Sequence, residues 1–236
     1  MVLAVLVLVG WGLLRGASCA AERVAGELPS SVDAQLGKAA ASSVAAQFGS
    51  GEAKPEDDAR ARRLFDEVVA ALKPEERARL EALELHVLGS EQVNAFALPG
   101  GQVFVLTGLL ERAGDDDDIV RGVLAHELGH AVRRHGIRAM AREHAVAIAF
   151  GIFVGGDDAR IALLLGGASH LSSLAYSRGM EDEADAFAVE LLARSGRDAS
   201  GLARFLESLE SQPVPELLST HPDSAERARA VRERAR

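Results

Sequence analysis

The chain is short of cysteine, of aromatic residues and of positive charge, and each shortage closes off a class of protein. There is one cysteine, Cys19, in 236 residues, so no internal disulfide and no cysteine-based metal site can form. Aromatic residues make up 4%, so a core must be filled by Ala, Leu and Val, which favours close-packed helices over a β-sandwich. Lys and Arg number 26 against 35 Asp and Glu, a formal net charge of -9. Phosphate binding needs basic stripes, so this balance argues against nucleic acid as a partner.

Long apolar runs are scarce as well. Val2–Leu14 offers about 13 apolar positions, broken only by Gly10 and Gly12 and ended by Arg15, where a membrane span needs ~20. That length suits the core of an export signal. Three outcomes stay open. A signal peptidase can cut after Ala20 at Ser18-x-Ala20. Ala17-Ser18-Cys19 resembles the end of a lipobox, which would put lipid on Cys19. The segment can also remain as an uncleaved anchor, associating the chain with a membrane through its N-terminus. Further along, Ala145–Val154 and Ile161–Leu165 are each too short to span a bilayer and read as buried or interfacial helices.

What is present fits one globular catalytic domain, with 48% apolar and 26% charged residues. The expected division is 1–20 as export signal, 21–55 as a linker segment with one helix over Val32–Phe48, and 56–236 as the domain. Apolar spacing predicts helices over Ala59–Leu72, Pro74–Leu83, Thr107–Arg112, Glu181–Ala193, Ser200–Leu209 and Ser224–Arg234, the last solvated over most of its surface. Leu83–Val87 alternates as a strand. Asn94–Leu98 and Gln102–Leu106 flank Pro99-Gly100-Gly101, the signal of a hairpin. The fold class is therefore α+β, mainly helical with a small sheet. The run Asp115–Asp118 reads as helix-opening carboxylates that complement the macrodipole, ahead of calcium ligands.

That helix carries His126-Glu127-Leu128-Gly129-His130, an H-E-x-x-H motif with Val120, Val123, Leu124, Leu128 and Ala131 as its apolar stripe. Histidines four apart project from one helical face and can hold one ion, while Glu127 beside them can take a proton from water. Gly129 leaves room for another element to approach. Downstream, Glu181 and Asp185 are also four apart, and Ala184, Ala188, Val189 and Leu192 turn that face inward. Paired carboxylates in a core are costly unless they bind something. Glu181 as third ligand and Asp185 as the partner of a ligand histidine meet that need. Glu183 falls about 160° round the helix from Asp185, towards solvent. His86, His135, His144 and His170 read as structural or solvated. Tyr176 and Arg178 are open as oxyanion stabilisers.

Four segments in order, NAFALPGG at Asn94–Gly101, HELGH at His126–His130, SRGMEDEAD at Ser177–Asp185 and THP at Thr220–Pro222 with Arg227 after it, resemble bacterial envelope zinc peptidases of the HtpX, BepA and LoiP type. These are gluzincins related to the CAAX prenyl proteases, and the resemblance runs from Glu56 to the C-terminus, on the soluble exported side of the family. It implies one Zn2+ held by His126, His130 and Glu181, Glu127 as catalytic base, and Asp185 orienting a ligand. It implies an edge strand at Asn94, Ala95 and Phe96 that pairs with extended polypeptide, and His221 as a loop histidine that can cap the metal. The implied activity is endopeptidase cleavage of misfolded or misassembled envelope proteins, in the periplasm or cell envelope. Two rivals remain: a chaperone-like zinc protein held off by His221, and a structural zinc protein, against which Glu127 speaks.

Overall fold

The computed structural model describes residues 16, 20, 22–23, 25–49, 51–143, 175–211, 213–214, 217, 220–222 and 224–236. Residues 1–15, Cys19, His144, the runs 145–154 and 161–165, and His170 lie outside the described residues.

In chain order the elements are α1 (Ser30–Phe48), β1 (Gly51–Glu52), α2 (Pro55–Val69), α3 (Pro74–Ala78), β2 (Glu84–Gly89), β3 (Ala95–Leu98), a 3-10 turn (Pro99–Gly101), β4 (Gln102–Leu106), α4 (Thr107–Ala113), α5 (Asp117–Val132), α6 (His135–Glu143), α7 (Arg178–Arg194), α8 (Ser200–Ser211) and α9 (Ser224–Arg234). This is the α+β architecture expected from the sequence, and among the described residues it holds one four-stranded sheet ordered β1-β2-β4-β3. Strands β3 and β4 form the expected hairpin, with Phe96 opposite Phe104 and Ala97 opposite Val103. Strand β2 runs parallel to β4 on its other side.

Successive side chains leave a strand on opposite faces, and here both faces are covered. Ala95, Ala97, Val103 and Val105 enter the larger core, built from α2, α4, α5, α7, α8 and α9. Phe96, Leu98 and Phe104 enter a second core with α1 and α6. Phe96 stacks on Phe104 at 5.1 Å and meets Phe48 of α1 at 5.0 Å. Burying a ring such as Phe104 stabilises by about 1.5–3 kcal/mol.

Helix α1 packs against the β3–β4 turn. Gly100 sits at φ 76, and a Cβ there would come 2.6 Å from the Ala34 Cα, so only glycine permits both the turn and the contact. Arg134 ties down the start of α1 and the segment leading into it. Its Nη1 donates to the Gly26 carbonyl at 2.9 Å and the Leu28 carbonyl at 2.7 Å, and its Nη2 lies 2.6 Å from the Asp33 carboxylate. Arg134 has φ 59, a left-handed backbone that costs a side-chain-bearing residue about 1–2 kcal/mol.

Two local expectations shift. Helix α3 stops at Ala78, well before Leu83. Helix α5 is buried all round from Val120 to Val132 and has no solvent face in that stretch. Helix α9 is solvated over most of its surface as expected, and buries Arg227, Ala228 and Val231. The acidic run opens α5 as expected. Asp116 caps it by accepting from the Asp118 amide, and Asp116, Asp117 and Asp118 pair with Arg204, Arg60 and Arg121.

Candidate metal centre

Two helices meet at the site. His126 and His130 lie one turn apart on α5, and Glu181 and Asp185 lie one turn apart on α7. Gly129 sets the distance between the helices: a Cβ at that position would stand 3.1 Å from the Ala184 Cα and carbonyl oxygen. With no side chain there, α7 lies close enough for its carboxylates to reach the imidazoles.

The His126 and His130 Nε2 atoms face each other at 3.0 Å. Glu181 presents Oε2 at 3.5 Å from His126 Nε2 and Oε1 at 3.4 Å from His130 Nε2. His221, which follows Thr220 near the end of the chain, brings Nδ1 to 3.1 Å from Glu181 Oε1. One donor atom from each of His126, His130, Glu181 and His221 lies within 4.8 Å of all the others, and all four residues are buried. Asp185 stands behind His126, with Oδ1 at 2.8 Å from Nδ1.

Glu127 lies beside this cluster, with its Oε1 3.9 Å from His221 Nε2. Its Oε2 accepts a hydrogen bond from the Ala97 backbone amide at 3.0 Å. That amide belongs to β3, the outermost strand of the sheet. Of the three residues expected to meet a substrate strand, Ala95 shares the outward edge with Ala97. Asn94 turns its carbonyl inward to the Leu106 amide at 3.1 Å, and Phe96 packs its ring in the second core. A cavity of about 210 Å³, lined by Arg178, Glu181, Asp182, Pro222, Glu226 and Arg227, reaches the site on the α9 side. A small apolar recess beside His126 and Glu127 is walled by Val123, Leu202, Phe205 and Leu217.

Burial and charge set the protonation. Desolvation pulls the His126 imidazole down, but its bonds to Asp185 and Glu181 outweigh this and hold it up at about 9. His130 is pushed well below its ordinary value by burial and by the charge of His126. Burial raises the Glu127 carboxyl above the usual carboxylate range. Glu181 is held far below it, because His221, His126 and His130 overcome the desolvation.

The profile of peptidase family M48 matches residues 55–235. The chain belongs to that family. The beta-barrel assembly-enhancing protease of Yersinia pestis is 33% identical over 64% of this chain and 34% of its own length. Metalloprotease YcaL of Escherichia coli K12 is 34% identical over 61% of this chain and 59% of its own. The mitochondrial metalloendopeptidase OMA1 of Bos taurus is 37% identical over 61% of this chain and 31% of its own. The chain thus spans less than two thirds of each of these relatives.

The M48 donor set, imidazole nitrogens and one carboxylate with no sulfur, fits a borderline cation such as zinc. A buried carboxylate ringed by imidazoles has the chemistry of a metal site, so His126, His130 and Glu181 can hold the ion, with His221 in reach as a fourth donor.

Three residues that the sequence marks only faintly also stand at the site. Arg227 of α9 forks onto Asp185 through Nε and Nη2, both at 2.8 Å, and sets Nη1 2.5 Å from Glu181 Oε2. Its signal was its position beside Ala228 and one turn before Val231, on the apolar side of a charged helix. His135 is fully buried, with Nδ1 2.9 Å from His130 Nδ1. Glu183 is exposed as expected but reaches His135 Nε2 at 3.2 Å. Tyr176 stacks on the His130 ring at 4.0 Å, and burial drives its phenol up, keeping it neutral. His86 is structural: it stacks on Phe104 and bonds Gln102 at 2.9 Å.

Proposed function

We propose that this chain is a zinc-dependent endopeptidase that cleaves extended segments of misfolded or misassembled cell-envelope proteins. The observation that carries the reading is the convergence of His126, His130 and Glu181 beside a Glu127 carboxylate hydrogen-bonded to the edge strand. The envelope assignment draws on the names of the beta-barrel assembly-enhancing relatives and on the apolar N-terminal run. Residues 1–20 serve as export signal, cut after Ala20 or lipidated at Cys19, and 56–236 form the peptidase unit.

A peptide adds as a further strand along β3 through the outward amide and carbonyl of Ala95 and the carbonyl of Ala97, the Ala97 amide being held by Glu127. This lays its backbone past Glu127 and the metal donors. The chemistry zinc supplies at those donors is Lewis-acid polarisation of a carbonyl and a water pKa lowered towards ~7. Glu127 takes the proton from the attacking water and returns it to the leaving amine, a task suited to a carboxyl whose burial raises its proton affinity. Asp185 keeps the His126 Nδ1 proton engaged, so Nε2 is the nitrogen that binds metal, giving up its own proton as it does so.

The purified protein is expected to carry about one zinc per chain. Glu127→Gln is expected to keep that zinc and lose casein cleavage. A Glu127→Gln protein that cleaves casein as fast as wild type would end the assignment. The position of His221 favours a second reading, in which it fills the fourth donor place and holds the enzyme off. On that reading His221→Ala cleaves casein faster than wild type, and an unchanged or lower rate rejects it.

A further inference from the structure

The two metal-facing imidazoles are backed differently. His126 turns its Nδ1 to the Asp185 carboxylate. Behind His130 stands another imidazole instead. His130 Nδ1 lies 2.9 Å from His135 Nδ1, and His135 Nε2 lies 3.2 Å from Glu183 Oε2 on α7. Arg138, three residues along α6, also reaches Glu183 at 3.4 Å. The break between α5 and α6 makes this possible. In an unbroken helix the fifth residue after His130 would lie about 140° round the axis, facing away. Arg134, at φ 59, ends α5 and swings His135 back beneath His130.

We propose that His135 and Glu183 form a two-step positioning relay that fixes the tautomer and aim of His130. A carboxylate only accepts, so the proton of His135 sits on Nε2, facing Glu183. A neutral imidazole carries one N–H, so His135 Nδ1 is left as an acceptor. His130 then donates from Nδ1, and its Nε2 lone pair points at the space shared with His126 Nε2 and Glu181. The opposite tautomer sets a His135 lone pair against a carboxylate and puts a His130 proton where a cation would bind. The relay therefore does for His130, through one intermediate ring, what Asp185 does directly for His126. It rests on the zinc reading above, and it assigns to His135 and Glu183 a task neither ligand nor catalytic residue performs.

The test is zinc affinity of the full chain, by competition with a chromophoric chelator. Loss of an outer partner of a ligand histidine weakens metal binding about 10–100-fold, and Glu183→Ala is expected within that range. Glu183 is half-exposed, so the variant keeps its fold. Glu183→Gln retains an oxygen that accepts the Nε2 proton and is expected to stay close to wild type. His135→Leu is expected to lose at least as much affinity as Glu183→Ala, and adding Glu183→Ala to it costs nothing further. Long-range proton–nitrogen NMR of the zinc-loaded protein should find His130 protonated at Nδ1 and His135 at Nε2, with His135 becoming a mixture in Glu183→Ala. A purely structural pair would lower the melting temperature without moving the tautomers. A chain that holds zinc, is indifferent to Glu183→Ala and shows His135 protonated at Nδ1 overturns the relay alone. A wild-type chain that holds no zinc overturns the metal reading as well.

Discussion

Asp185 and Glu181 are both about 1% exposed and point the same way from α7, an arrangement that requires compensating positive charge. Arg227 supplies it. Its fork holds Asp185 below the usual carboxylate range against the opposing pull of desolvation. Removing one partner of such a buried set costs about 3–5 kcal/mol, because the remaining charge is left without a counterpart. Arg227→Met should therefore lower the stability of the metal-free protein by about that amount, read as a drop in urea midpoint in the presence of chelator. A midpoint equal to wild type would remove Arg227 from this role. At this scale the sequence was legible where one helix sufficed. His126 with His130, and Glu181 with Asp185, follow from helical spacing alone. For Arg227 only burial was legible, from its place beside Ala228 and Val231; its partners, like those of His135, depend on the docking angle between helices, and no local pattern encodes that angle.

Helices α5 and α7 act through the surface they share. Gly129 brings the Ala184 backbone to contact distance, so the two pairs of site residues are held in one plane of approach by a missing side chain. Gly129→Val should cost about 1–3 kcal/mol from overpacking and also abolish stoichiometric zinc binding, because it moves Glu181 away from the imidazoles. Metal analysis of the folded variant checks this; a full complement of zinc would show that the helices tolerate separation. The hairpin and most helices were readable from alternation and helical spacing. The role of α1 was not. Its Ser- and Ala-rich sequence looks like linker, and only the glycine turn and the Arg134 bridge reveal that it closes the second core.

Over the whole molecule, acidic groups outnumber basic ones, yet several surface carboxylates are held low by arginines. Arg204 lowers Asp116; against the raising effect of burial, Arg121 lowers Glu67, and the Lys73 backbone amide together with Arg194 lowers Glu76. Their ordinary values are 3.8 for Asp116 and 4.5 for the two glutamates, and each is lower when folded. As pH falls, the unfolded chain takes up protons first, so this stabilisation is complete above the ordinary values and is lost as pH drops through the folded ones. These three groups should add nothing to the pH dependence of the urea midpoint above about pH 5 and should lower that midpoint as pH falls below about 4. Added salt should shrink the difference, since these groups lie near solvent. A midpoint rising on acidification would contradict the sign.

The Ala97 amide bond to Glu127 joins strand and base into a single mechanical part. Neighbouring residues of a strand send their amides in opposite directions, so a slip of one position would offer Glu127 no donor at all. The Pro99–Gly101 turn prevents that slip by fixing which residue of β3 faces outward. The hairpin register thus determines whether the acid–base group stands ready, and a lesion in a turn that itself carries no histidine can silence the enzyme while leaving every ligand in place.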